Sequence, residues 1–228
     1  MSAMKRAVLL LLVAAFGTNA APEDCHSLKK LSPSDLHEQI YGDWVLVWSV
    51  TDHQEGWDLV ANISSSHVEL RLHQDNTTII LKERNMFIDK SCSYYFMNFS
   101  VAETVNNTLD VIAATVEQDG VVSSLNESVQ LDFYESCPEC LMMVYKSPKG
   151  QYLLNYRKDG YHQDVEKMNS LHDGHKKLAE CLGLGHDQPF IYDGAADFCH
   201  KKSSPEVDAA AGPDPSPEVD AAVPAVPS

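Results

Sequence analysis
Between Trp44 and Val50 the side chains alternate, with Trp44, Leu46, Trp48 and Val50 on one face and Val45, Val47 and Ser49 on the other. That is the two-residue period of a strand. Comparable runs recur at Val68–His73, Thr77–Arg84, Cys92–Val101, Leu109–Val116, Ser128–Tyr134, Cys140–Tyr145 and Gln151–Arg157, which predicts eight strands. Asn106-Asn107, Asp119-Gly120 and Pro148-Lys149-Gly150 fall between runs and have the chemistry of hairpin turns. Ahead of the first strand, Ser32-Pro33-Ser34-Asp35 is an N-cap signal with proline at the first helical position, so a short helix is expected up to Ile40. After the eighth strand the period changes. Val165, Met168, Leu171 or His172, His175, Leu178, Ala179 and Leu182 recur at helical spacing, Gly183 supplies a stop, and Gly174 weakens the helix midway. Asp187–Asp193 can add a last short strand.

Eight sequential antiparallel strands form either an up-and-down barrel or a sandwich. Hairpin-length links suit next-neighbour pairing, closure removes exposed edges, and a single helix after the last strand can pack outside the wall. A sandwich of immunoglobulin type would want a tryptophan between two paired cysteines, and none follows Trp57. The expected fold is therefore an all-β, eight-stranded antiparallel up-and-down barrel with a C-terminal α-helix packed outside.

The ends differ in composition. Lys5 and Arg6 precede an unbroken apolar stretch from Ala7 to Phe16, with Thr18 and Ala20 at signal-peptidase spacing, so residues 1–20 are read as a signal peptide. That stretch is too short to span a bilayer, and no later window is longer. Beyond Cys199 the sequence turns to Ala, Pro, Asp, Glu and Val, and Ser204-Pro-Glu-Val-Asp-Ala-Ala210 recurs from Ser216. Residues 203–228 carry no large core-forming side chains and are expected to be a disordered acidic tail. Residues 21–202 have the length of one domain. The formal charge of −16 argues against nucleic acid or anionic membrane surfaces as partners, and membrane insertion is not expected.

Five Asn-x-Ser/Thr sequons, at Asn62, Asn76, Asn98, Asn106 and Asn126, point to an extracellular glycoprotein. Six cysteines form an even set, for which fifteen pairings are formally possible. Their positions favour Cys25, before the first strand, with Cys181, near the end of the last helix, and Cys92, opening a mid-chain strand, with Cys199, which closes the ordered region. Cys137-Pro138-Glu139-Cys140 has the spacing of a redox pair but lies between strands rather than at a helix start, so a bridge across a hairpin is expected. His172 and His175 are read as solvated helix histidines. No metal and no cofactor is expected.

Gly42-Asp43-Trp44 after a short capped helix, Arg157 at the end of the eighth strand, and the helix and cysteines that follow together resemble the lipocalin pattern. In that family the tryptophan plugs the closed end of the barrel and the arginine packs across it, which implies a barrel-closing role for Gly42, Trp44 and Arg157. Thr78-Ile-Ile-Leu-Lys-Glu83 leading to Cys92, Ala179-Glu180-Cys181-Leu182, and Tyr192 with Cys199 are similar to the α1-acid glycoprotein branch, including its toxin- and organotin-binding plasma members in fish. The likeness covers about Cys25 to Cys199, and the branch's usual cysteine pairing agrees with the one favoured above. Cys137 and Cys140 are additional to that pattern. The family's Thr-Asp-Tyr motif before the seventh strand is absent.

An eight-stranded barrel encloses room for one small ligand. The expected function is secreted, plasma-borne transport or sequestration of a small hydrophobic or amphiphilic molecule, which the resemblance extends to an organotin or guanidinium toxin. A glycan on Asn98 must point outward, so Tyr95, Met97, Phe99 and Val101 are expected inside. Alternation adds Trp48, Ile79, Leu81, Val129, Leu131 and Phe133, and one of Met142 and Met143. Glu83, in phase with Leu81, and Tyr156 match polar lining positions of the branch, and Glu83 would favour basic ligands. Two other readings compete. One is an immunomodulatory glycoprotein that meets a cell-surface receptor through its glycans. The other is a lipocalin-type isomerase that would need a free thiol from Cys137 or Cys140. No catalytic residue is assigned.

Overall fold
The computed structural model describes residue 25, residues 28–102 and residues 104–201. The expected leader and acidic tail lie outside these residues. The chain runs α1 (Leu36–Gln39), β1 (Gly42–Thr51), α2 (Gln54–Asn62), β2 (Ile63–Leu72), β3 (Thr78–Phe87), β4 (Cys92–Ser100), β5 (Leu109–Gln118) and β6 (Val121–Ser124). It continues as β7 (Gln130–Tyr134), β8 (Cys140–Ser147), β9 (Gly150–Lys158), α3 (Val165–Cys181) and β10 (Phe190–Ile191).

Eight strands close into a barrel. β1 to β5 pair in order, β5 pairs β7, β7 pairs β8, β8 pairs β9, and β9 returns to β1. All these pairings are antiparallel. Closure satisfies the edge hydrogen bonds that an open sheet of this size would leave free. At β8–β9 the turn needs Gly150, whose φ is +149°, because a side chain there would collide with Asp52 and His53.

One end is filled. Leu31, Leu36, Ile40 and Trp44 are buried there, and the Trp44 indole donates to the Ile40 carbonyl at 2.8 Å. Above them Val68, Leu70, Ile79, Leu81, Phe99, Leu109, Leu131, Phe133 and Met143 complete the floor. At the other end α2 connects β1 to β2.

The outer wall carries α3. Asp164 caps it by accepting from the Lys167 backbone N–H at 3.0 Å, and it ends at Gly183, φ +72°. It runs unbroken through Gly174. Ala179 packs in a cluster with Trp48, Val50, Met142, Val144, Leu153 and Leu184. The three expected disulfides are present as Cys25–Cys181, Cys92–Cys199 and Cys137–Cys140. The first ties the N-terminal segment to the end of α3. The second holds the C-terminal segment on β4, after β10 has added to β1 at Trp48 and Ser49.

Candidate ligand-binding site
The half of the barrel nearer α2 is hollow, with a cavity of about 350 Å³, within the range of small-molecule sites. Its walls alternate by strand. Leu46 and Ser49 come from β1, Glu83 and Asn85 from β3, Tyr95 and Met97 from β4, Tyr145 from β8, and Tyr152 and Leu154 from β9. α2 and the strand that follows it contribute Leu59, Val60, Ile63 and Ser66. At the rim Lys149 pairs with Glu55 at 2.9 Å and Glu127 at 3.5 Å.

Glu83 is the chemical centre of this wall. Its carboxylate accepts from the Asn85 side chain at 2.6 Å, and no cation pairs with it among the described residues. Burial raises its pKa, against the opposing effect of the Asn85 hydrogen bond. Burial and the nearby Glu83 charge push the Tyr95 and Tyr152 hydroxyls up to about 12, and raise Tyr145 further for the same reasons. The Tyr145 and Tyr152 rings meet edge to face at 5.8 Å. Around them Ser49 Oγ, Ser66 Oγ and Asn85 Oδ1 are buried without a hydrogen-bond partner in the structure, although polar atoms at such depth are normally paired. One carboxylate, three phenol rings and unpaired oxygens suit a ligand that carries positive charge and several N–H donors.

The residues expected inside separate into three groups. Glu83, Tyr95 and Met97 line the cavity. Ile79, Leu81, Phe99, Leu131, Phe133 and Tyr156 are buried in the core below it rather than on its wall. Trp48 is a correction. The β1–β9 register shifts between Leu46 and Trp48, and this extra residue reverses the alternation. Ser49 therefore faces the cavity while Trp48 packs outside, its ring 5.4 Å from that of His175.

That contact also corrects His175, which is not a solvated residue. Burial lowers its pKa to about 4. Arg157 differs from expectation too. Its guanidinium lies on the outer side of β9, donating to the sulfurs of Cys137 and Cys140 at 3.1 and 2.9 Å. The floor contact of Trp44 is instead the Ile40 carbonyl.

Ser49, Ser66, Asn85, Tyr145 and Tyr152 were not identified from sequence. Asn85 and Tyr152 were legible, since each continues the alternation of a recognised strand. Ser49 was hidden by the bulge. The five sequon asparagines are at least partly accessible, and Asn98 points away from the cavity beside inward Met97. Cys137 and Cys140, on which a thiol-based reaction would draw, are bonded to each other. One trio of potential metal ligands, Asp43, His67 and Glu69, occurs on the outer wall among the described residues. Lys201 already neutralises both of its carboxylates at 3.2 and 3.0 Å, and Arg71 reaches Asp43 at 2.6 Å.

A closed eight-stranded meander that opens on Gly-x-Trp, carries one helix on its outer wall and keeps a pocket at one end has the lipocalin fold. The chain is homologous to saxitoxin and tetrodotoxin-binding proteins 1 and 2 of Takifugu pardalis, with 44% identity over 209 residues and 43% over 208. Each match covers 90% of this chain and 52% of the relative, so the chain spans about half the length of these proteins. Among solved structures the siderocalin Ex-FABP aligns with 69% of this chain and 96% of its own, at a TM-score of 0.49 and 9% identity. No protein-family model matches the sequence. No helix among the described residues is long and apolar enough to cross a membrane.

Proposed function
We propose that this protein is a secreted carrier that sequesters a small cationic molecule in the barrel, and that its ligand class is that of the guanidinium toxins saxitoxin and tetrodotoxin. Glu83 carries the reading. A carboxylate inside a cavity, without a cation to pair with, is costly to keep charged. A guanidinium ligand would supply the missing charge and donate to the unpaired oxygens of Ser49, Ser66 and Asn85. Tyr95, Tyr145 and Tyr152 would present ring faces to its positive surface. The names of the Takifugu relatives support the same ligand class, and the three disulfides suit the oxidising setting of a secreted protein.

Equilibrium dialysis of the purified chain against saxitoxin and tetrodotoxin tests the proposal. Retention of at least one toxin at about one per chain is expected. Failure to retain either at micromolar protein would rule out this ligand class.

A further inference from the structure
A second cavity of about 400 Å³ lies outside the barrel, between α3 and the wall formed by β1, β8 and β9. It shares no lining residue with the barrel cavity. Leu28, Met142, Leu171 and Leu178 give it an apolar surface. Arg157 lies in the wall with 2% of its surface exposed. No carboxylate pairs with this guanidinium among the described residues, and its only hydrogen bonds are to the disulfide sulfurs of Cys137 and Cys140, which are weak acceptors. The carboxylate on the cleft wall, Glu135, is engaged by Lys29 at 2.5 Å.

Two more unpaired polar nitrogens face the same space. Asn155, 5% exposed, has an unpartnered side-chain N–H₂, and His175 Nδ1 is likewise buried without a partner. A buried, unpaired guanidinium is an unfavourable arrangement unless something negative meets it. Arg matches a carboxylate through paired N–H donors. We propose that this cleft is a second ligand site that takes an anionic amphiphile of fatty-acid type, with its carboxylate on Arg157 and Asn155 and its chain along Met142, Leu171 and Leu178. The two sites would then have opposite charge preference, cations inside the barrel and anions beneath the helix.

Calorimetric titration with decanoate, and with decanol as a neutral probe of the same length, tests this on the intact protein. Decanoate should bind wild type, and Arg157→Gln should weaken it about tenfold or more while decanol affinity stays within twofold. Because Arg157 touches a disulfide, a second variant leaves it in place. Gly174 borders the cleft within α3 and has open space where a side chain would extend, so Gly174→Phe fills the entrance and replaces a poor helix former. It should abolish decanoate binding without lowering the melting temperature. No decanoate binding to wild type at millimolar concentration, or unchanged binding in a folded Gly174→Phe protein, would overturn the proposal.

Discussion
Glu83 and Tyr95 sit directly opposite one another in the β3–β4 ladder, both facing the barrel cavity, and the Glu83 charge makes the Tyr95 hydroxyl harder to ionise. Burial is the larger cause for both, and the Glu83 charge adds to the rise at Tyr95. Bound cations favour charged Glu83, so binding and deprotonation are linked. Affinity for a guanidinium ligand should therefore fall as pH drops through the raised pKa of Glu83. Titrations across the acidic range should show this slope in wild type and its loss in Glu83→Gln. An equal slope in both proteins would place the responsible proton elsewhere.

The outward position of Trp48 gives a prediction that separates packing from binding. Trp48 is fully buried against Met142, Leu153 and Ala179, so Trp48→Ala should cost about 3–5 kcal/mol of stability. Trp48→Phe should leave affinity for a barrel ligand unchanged. A large affinity loss in the Phe variant, with the melting temperature little altered, would mean that the indole reaches the cavity.

How far the sequence disclosed this molecule depends on where each side chain points. Strands with one buried face, such as β3, β4 and β9, were recognisable because alternation is the direct imprint of burial. β6 escaped notice because all four of its residues are exposed, which removes that imprint. α2 is short, contains Gly56 and lacks a side-chain cap at His53, so neither propensity nor capping announced it. β2 was expected from Val68 but begins at Ile63, because Ser64-Ser65-Ser66 lacks β-branched and aromatic residues. At the site, Glu83, Tyr95 and Met97 were in phase with their strands. The β1 bulge is a backbone event that hydrophobic periodicity does not encode, and it exchanged Trp48 for Ser49.

The histidines on the outer wall should shape acid stability. Burial lowers the pKa of His67 to about 4, with nearby Arg84 adding to the effect, and burial then His172 lower His175 to about 4. Between the ordinary value of 6.5 and 4 the unfolded chain then binds more protons than the folded one, so stability is lost as pH falls through that window. Glu83, with a raised pKa, acts in the opposite sense. The decline in melting temperature from pH 6.5 to 4 should flatten in a His67→Gln, His175→Gln double variant. A decline as steep as that of wild type would assign the acid sensitivity to other groups.

The disulfides should divide by loop size. Cys25–Cys181 and Cys92–Cys199 span 156 and 107 residues, for which the chain-entropy model gives about 5 kcal/mol each, against about 2 kcal/mol for Cys137–Cys140. Denaturant unfolding of Cys→Ser pairs should show the first two losses clearly exceeding the third. A Cys137→Ser, Cys140→Ser protein as unstable as the others would show that the hairpin bridge supports more than its own turn, most directly through Arg157.

The charge of Glu83 is the core of the functional account, and isothermal calorimetry of Glu83→Gln measures it most directly. Charges about 4 Å apart interact by about 4 kcal/mol at an effective dielectric of 20, before desolvation is subtracted. The variant should therefore bind saxitoxin or tetrodotoxin about tenfold or more weakly than wild type, while a neutral apolar ligand of similar size binds both equally. Equal toxin affinities for variant and wild type would contradict the account.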